Sequence, residues 1–235
     1  MMRIAALLLA LVVPLTMALP AAADRTDLTK SPPIRSVKPL RDGRHHITPT
    51  VGFTFNDAYK RNLSAGLSYR YYFNNWFGLG VDVMGTYLAL DTGLTTQVDA
   101  KLSAPGVSGR PSTANLSVLA HVGATFVPLY GKMMLVGKVP VSYDVHFIVG
   151  AGYAGYAGEG DITSGGSFSP VVGIGTRWFF SEWIALQVDV RDYIVVDMPI
   201  AAPANVLDPP GSVEQNFMVT VGVSFFFPPD LETSL

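Results

Sequence analysis

A chain of 235 residues has room for one barrel of about eight to ten strands or for one ordinary soluble domain. Hydrophobic residues make up 49% and charged residues only 14%, against roughly 25% charged in a typical soluble domain, yet no internal apolar run is long enough for a membrane-spanning helix. The 16 basic and 18 acidic side chains form no basic stripe for nucleic acid, and the absence of cysteine excludes disulfides, thiolate metal sites and a lipidated amino terminus.

At the amino terminus Arg3 precedes an apolar run from Ile4 to Leu19, and Ala21, Ala22 and Ala23 follow as small cleavage-site residues. This predicts a secretory signal peptide over residues 1–23 and a mature protein beginning at Asp24. The alternative, an uncleaved anchor, is opposed by the shortness of the run and by Pro14 and Pro20. Residues 24–44 are polar and basic, with Pro32, Pro33 and Pro39. They read as an extended periplasmic tether, either solvated or serving as a docking strip for a periplasmic partner.

From residue 45 the sequence breaks into eight segments of period-two alternation. The first places Ile47, Val51, Phe53 and Phe55 on one face and Thr48, Thr50, Gly52 and Thr54 on the other. Asn62–Phe73 follows, then a strand beginning at Trp76, then Asn115–Pro128, in which Leu116, Val118, Ala120, Val122, Ala124 and Phe126 oppose Ser117, His121, Gly123 and Thr125. Three more lie within Val141–Tyr156, Phe168–Phe180 and Trp183–Val195, and the last is Asn216–Phe227. Hydrophobicity spread in this way suits a membrane barrel, whose outward apolar residues alternate with small or polar lumen residues.

Connection lengths predict orientation. Asn74–Asn75 and Ser181–Glu182 are tight turns, whereas 91–114, 157–167 and 196–215 are long and rich in Gly, Pro, Ser and Thr. Barrels of this class keep short turns in the periplasm and long loops outside, so both termini are expected in the periplasm. Two connections depart from the rule: 56–61 is short although outside, and 129–140 is long although inside, the latter reading as a short amphipathic turn or helix at the rim. A soluble sandwich would share the alternation. Against it, Tyr71, Phe73 and Trp76 cluster at one tight turn and Trp178, Phe180 and Trp183 at the other, as a periplasmic aromatic girdle requires.

GLSYRYYFNNWFGLGVDV (Gly66–Val83) aligns without gaps to GIGTRWFFSEWIALQVDV (Gly173–Val190), with eight identities in eighteen positions. One hairpin is used twice. Each copy sets an Arg (Arg70, Arg177) and an Asp (Asp82, Asp189) on the polar face. An Arg facing lipid near the midplane would cost about 2–4 kcal/mol, so all four are expected in the lumen, paired within each copy as charge bracing.

Other motifs carry less. Gly150–Gly155 matches a dinucleotide fingerprint but lies inside an alternating strand, without the strand–helix context that the chemistry needs. His121, His146 and Asp144 share polar faces and form the best catalytic candidate, yet no Ser occupies a nucleophile turn. No enzymatic activity and no cofactor are expected. A diffusion pore is opposed by the bore of an eight-stranded barrel, which holds side chains rather than a solute stream.

Residues Arg41–Phe73 (RDGRHHITPTVGFTFNDAYKRNLSAGLSYRYYF) and PLYGK (Pro128–Lys132) resemble the outer-membrane β-barrel family of myxobacteria and their relatives. That resemblance implies a non-enzymatic envelope barrel, with gliding-motility machinery among the family's associations. The repeated hairpin is similar to those of small barrels of the outer-membrane protein A and X type. The expected organisation is a signal peptide (1–23), a tether (24–44), an eight-stranded antiparallel transmembrane barrel (45–227) and a tail (228–235). Phe227 would be the signal read by the barrel-assembly machinery, although eight residues follow it. Outer-membrane lipid and periplasmic or envelope proteins are the expected partners, in a Gram-negative outer membrane. A small channel or ligand-binding barrel is the second reading. Amino-terminal sequencing of protein recovered from membranes should begin at Asp24; an intact Met1 would contradict the cleavage.

Overall fold

A computed structural model describes residues 41–56, 60–102, 113–135, 139–159, 164–198 and 212–229. The expected signal peptide (1–23), residues 24–40 of the expected tether, parts of the connections between strands and residues 230–235 of the expected tail lie outside the described residues. The strands are β1 (His45–Thr54), β2 (Lys60–Tyr72), β3 (Phe77–Asp91), β4 (Thr113–Leu135), β5 (Val139–Glu159), β6 (Gly165–Phe179), β7 (Ile184–Met198) and β8 (Ser212–Phe227). Each pairs antiparallel with the next, and β1 pairs with β8, so the sheet closes on itself. Closure leaves no edge within the ring, which is how a strand satisfies its backbone in lipid.

Both tight turns lie at one rim, called here the near rim, beside the ends of β1 and β8. Phe73 N donates to Phe77 O and Phe180 N to Ile184 O, both at 3.1 Å. Asn74 Oδ1 accepts from Trp76 N and Phe77 N, and Ser181 Oγ from Ile184 N. The repeated sequence thus builds the same closure twice.

Period two decides which residues face lipid. Outward positions in the middle of the wall are apolar, as in Leu79, Val81 and Val83, Val118 and Val122, Val172 and Ile174, Val219, Val221 and Val223. Outward aromatics recur ten positions apart along four strands: Phe77 and Tyr87, Tyr143 and Tyr153, Phe168 and Trp178, Phe217 and Phe227. At about 3.4 Å per residue and a tilt of about 35–45°, ten residues climb roughly 24–28 Å, the height of an outer-membrane apolar band. The exposed wall is therefore a lipid surface bounded by two aromatic girdles, and the barrel spans a bilayer.

Three elements differ from the sequence reading. The connection 129–140 is neither helix nor simple turn: β4 continues through Leu135 and pairs with Val139–Val145 as an extended hairpin, after a shift in register between Phe126 and Leu129. A second shift, between Leu116 and Val118, turns Leu116 into the lumen and leaves Ser117 exposed, the reverse of unbroken alternation. The loop after β3 contains a helix, α1 (Gly93–Leu102), whose first turn starts on the Thr92 carbonyl, with Thr96 N at 3.2 Å. Leu94, Val98 and Leu102 recur at four-residue spacing, a helical signal hidden in a stretch read as loop.

The lumen is filled in layers. Near the tight turns Tyr72, Val127, Phe179, Ala185 and Phe226 form an apolar cluster. Toward the far rim Met84, Leu116, Leu119, Ala154, Val171, Tyr193, Val195 and Met218 form another. Charged and hydroxyl side chains lie between them. Purified protein should migrate differently on gels before and after boiling, since the closed ring resists detergent; an unchanged position would contradict closure.

Candidate functional site

Strands four apart in an eight-membered ring face each other across its diameter, and the lumen charges use this. Arg70 on β2 stands opposite Gly80 and reaches diagonally to Asp82 on β3, with Nη2 at 2.9 and 3.1 Å from the two carboxylate oxygens. A Cβ on Gly80 would meet Arg70 Cγ at 2.3 Å, so the glycine makes the room that the Arg70 stem occupies. Ser68 Oγ also donates to Asp82. From the opposite wall, Arg191 on β7 donates to Asp82 at 3.1 Å and to Asp189 at 2.7 Å. Asp82–Arg191–Asp189 is a strut across the bore.

A second strut joins β6 to β2. Arg177 donates from Nε to Asp144 Oδ1 at 3.0 Å and from Nη1 to Tyr72 Oη at 2.5 Å, with its Cζ 5.3 Å from the Tyr72 ring centroid. The two copies of the repeat therefore differ: Arg70 pairs with Asp82 of its own hairpin, whereas Arg177 does not pair with Asp189. Register explains the difference. Asp144 on β5 lies directly opposite Arg177, while the residue opposite Arg70 on β1 is His46, which offers no carboxylate. Asp189 is held instead by Arg191 and by Gln187 Nε2 at 2.8 Å.

His146 sits between the two systems, with Nδ1 3.2 Å from Asp144 Oδ1 and Nε2 3.0 Å from Asp189 Oδ1. Gly175 opens the space for this meeting, since a Cβ there would lie 2.0 Å from Asp189 Oδ1. Gln187 donates to Asp189 and so turns its oxygen to Ser224, whose hydroxyl donates to it at 3.1 Å. Ser224 then accepts from Thr48 at 3.0 Å, and Thr48 accepts from His46 Nε2 at 2.7 Å. The chain of donors has one direction and fixes the His46 tautomer.

Sequence reasoning missed the closure of the near mouth. Arg41 and Arg44, placed in the tether by sequence, are buried. Gly43, in the left-handed region at φ 67°, turns the chain back, and Gly43 N donates to Tyr72 O at 2.9 Å. Arg41 bonds Asp144, donates from Nη1 to Asn75 O at 2.9 Å, and lies over Phe179. Burial lowers its pKa, and the Asp144 charge opposes that shift. Arg44 donates to Pro228 O and Glu182 O, both at 3.0 Å, and covers Phe226. These four residues form a strap across the mouth. Arg191 was also missed, although it shares the polar face of Asp189 two positions on.

The catalytic candidate does not assemble. His146 is committed to carboxylates at both nitrogens, and His121 stands apart, opposite Asp82 and Gly152 and 5.0 Å from the Tyr193 ring. Among the described residues no cluster suits a metal ion. Gly150–Gly155 is mid-strand in β5, where a Cβ at Gly152 would lie 2.0 Å from Ala120 O: its glycines serve strand packing, not a phosphate. Tyr71, Phe73, Trp76, Trp178, Phe180, Trp183 and Phe227 all face outward at the near rim, Trp76 edge-on to Phe126 at 5.4 Å and Trp183 6.2 Å from Phe225.

No protein-family model matches the chain, and no curated protein matches it. Among solved structures it is similar to Ail, the attachment invasion locus protein of Yersinia pestis, at 15% identity over 79% of this chain and 99% of that one, with a TM-score of 0.39. It is also similar to the outer membrane protein OprG from Pseudomonas aeruginosa, at 10% identity over 79% and 96%, TM-score 0.39. Neisserial surface protein A follows at 11% identity over 77% and 95%, TM-score 0.37. The barrel stands on its own strand pairing, not on these remote likenesses.

Asp82→Ala leaves Arg70 and Arg191 buried without their shared carboxylate and should cost about 3–5 kcal/mol, read by urea unfolding in micelles. Asp42→Ala, on an exposed residue, should stay within about 0.5 kcal/mol. Equal effects would show that the strut bears no load.

Proposed function

We propose that this chain is a non-enzymatic barrel of a Gram-negative outer membrane, exported by its signal peptide and folded by the barrel-assembly machinery through the outward Phe227, whose work is to present a docking edge in the periplasm. On this reading the near rim, with its tight turns and both ends of the barrel, is the periplasmic one. The apolar band between the girdles meets outer-membrane lipid.

The observation that carries the docking role is the β4–β5 hairpin. Pairing of β4 with β3 ends at Phe126, and the Val127 amide makes a last contact with Trp76 O at 2.8 Å. Beyond it, Leu129–Leu135 pairs with β5 alone and has no strand on its other side among the described residues. Leu129, Tyr130, Met133 and Met134 are exposed there, where the other two near-rim connections are tight turns. A strand edge with adaptable apolar side chains suits β-augmentation by an extended segment of a periplasmic protein. A second copy fits less well, because two barrels in one bilayer point the same way and would bring these edges together parallel. The resemblance to motility-associated barrels makes a motility assembly the first class of partner to test.

The channel reading is opposed by the filled bore. Two cross-lumen struts and an apolar cluster on each side of them occupy the path.

Removing residues 133–141 and joining Lys132 to Ser142 through Asn-Gly should leave the heat-sensitive gel shift intact and abolish recovery of the partner crosslinked to the full-length hairpin in cells. Undiminished recovery would sink the docking role. In planar bilayers the intact protein should give no unitary currents, and stable currents would revive the channel.

A further inference from the structure

We propose that the half of the lumen walled by β4, β5 and β6 is a closed water chamber, in which a short file of water molecules is held by His121, Thr125 and Ser169. The strut from Asp82 on β3 through Arg191 to Asp189 on β7 divides the bore into two halves. The halves are filled differently. Where β8, β1 and β2 form the wall, side chains lie over the inward glycines. A Cβ on Gly52 would meet Met218 Sδ, one on Gly66 would meet Met84 Cγ and one on Gly222 would meet Thr50 Cγ2, each at 2.6 Å. On the β4–β6 side the atoms nearest to a Cβ on Gly123, Gly150 or Gly152 are all main chain.

These glycines form one bare patch, since Gly123 pairs with Gly150 and Gly152 follows two positions on along the same face. Polar groups stand around it. Thr125 and His121 flank Gly123 on β4, and Ser169 on β6 lies across Gly152 from His121. All three are buried, at 2% exposure or less. Thr125 Oγ1, Ser169 Oγ and both ring nitrogens of His121 have no hydrogen-bond partner within the protein. The His121 ring reaches across Gly152 toward the Ser169 main chain without making a bond of sound geometry. Its register neighbour Asp82 is taken by Ser68, Arg70 and Arg191. Four buried polar atoms left bare would be costly, so the set points to a ligand.

The chemistry of the set selects water. A neutral imidazole offers one donor and one acceptor, and each hydroxyl offers both. Asp82 and Arg191, the ions beside them, are paired with each other, so the groups suit a neutral ligand that both donates and accepts rather than an ion. Thr125 and His121 are four strand steps apart, about 13 Å, a gap that about three waters span at about 2.8 Å per link. Buried Tyr72, Val127 and Ile148 close the near side of this space, and Leu119, Ala154 and Val171 close the far side. A polar space closed in this way holds water as part of the structure. The file therefore hydrates the wall beside the strut without joining the two mouths.

A crystal structure of the unsubstituted protein, at a resolution that shows ordered water, should place water within hydrogen-bond distance of His121, Thr125 and Ser169. Side chains in that space, or no ordered water against these groups, would overturn the chamber. Thr125→Val tests it in solution, because valine keeps the shape and removes only the hydroxyl. With water bound there, the urea midpoint in micelles should fall by about 0.5 M. Thr48→Val, whose hydroxyl is bonded to His46 and Ser224 within the protein, should fall in the same direction. A Thr125→Val midpoint that is unchanged or raised, with the gel shift intact, would mean an unbonded hydroxyl and would also overturn the chamber.

Discussion

In a bilayer every backbone N–H and C=O must find a partner within the protein, and the closed pairing of β1 with β8 meets that demand. Closure at eight strands has a second consequence. The bore is too narrow for bulk water, so whatever polar group points inward must be satisfied by another side chain or by a singly bound water. The charged lumen is a solution to that constraint before it is a site.

The solution uses the diameter of the ring. Arg191 links β7 to Asp82 on β3, and Arg177 links β6 to Tyr72 on β2, so two guanidiniums brace the cylinder across its width. Glycines opposite the charges, Gly80 and Gly175, provide the space in which long side chains cross. Burying such pairs is costly and adds little net stability. Their effect is on shape: each arginine reaches its acceptors only when the strands hold their register.

The near rim is where the structure departs from this symmetry. One connection extends into a hairpin with an open edge, and the amino-terminal strap folds inward to cap the mouth. One feature is an exposed strand edge and the other is a buried pair of arginines folded into the mouth, and both lie beside the turn containing Asn75 and Trp76.

The alternation of apolar and polar residues by itself determined the eight strands, their inward and outward faces, the tight turns and the aromatic clusters beside them, because period two follows from local backbone geometry. It also determined that Arg70, Asp82, Arg177 and Asp189 face inward, since lipid rejects their charge. Period two assigns a face but not a partner. Only the closed ring decided that Arg177 meets Asp144 rather than Asp189, and that Arg191 spans the bore, because those contacts depend on the register and opposition of strands far apart in the chain. Register shifts, invisible in a local pattern, turned Leu116 inward and extended β4 into the hairpin. Arg41 and Arg44 read as solvated tether because their acceptors, Asp144, Glu182 and the Pro228 carbonyl, lie more than a hundred residues away along the chain and come together only when the barrel closes.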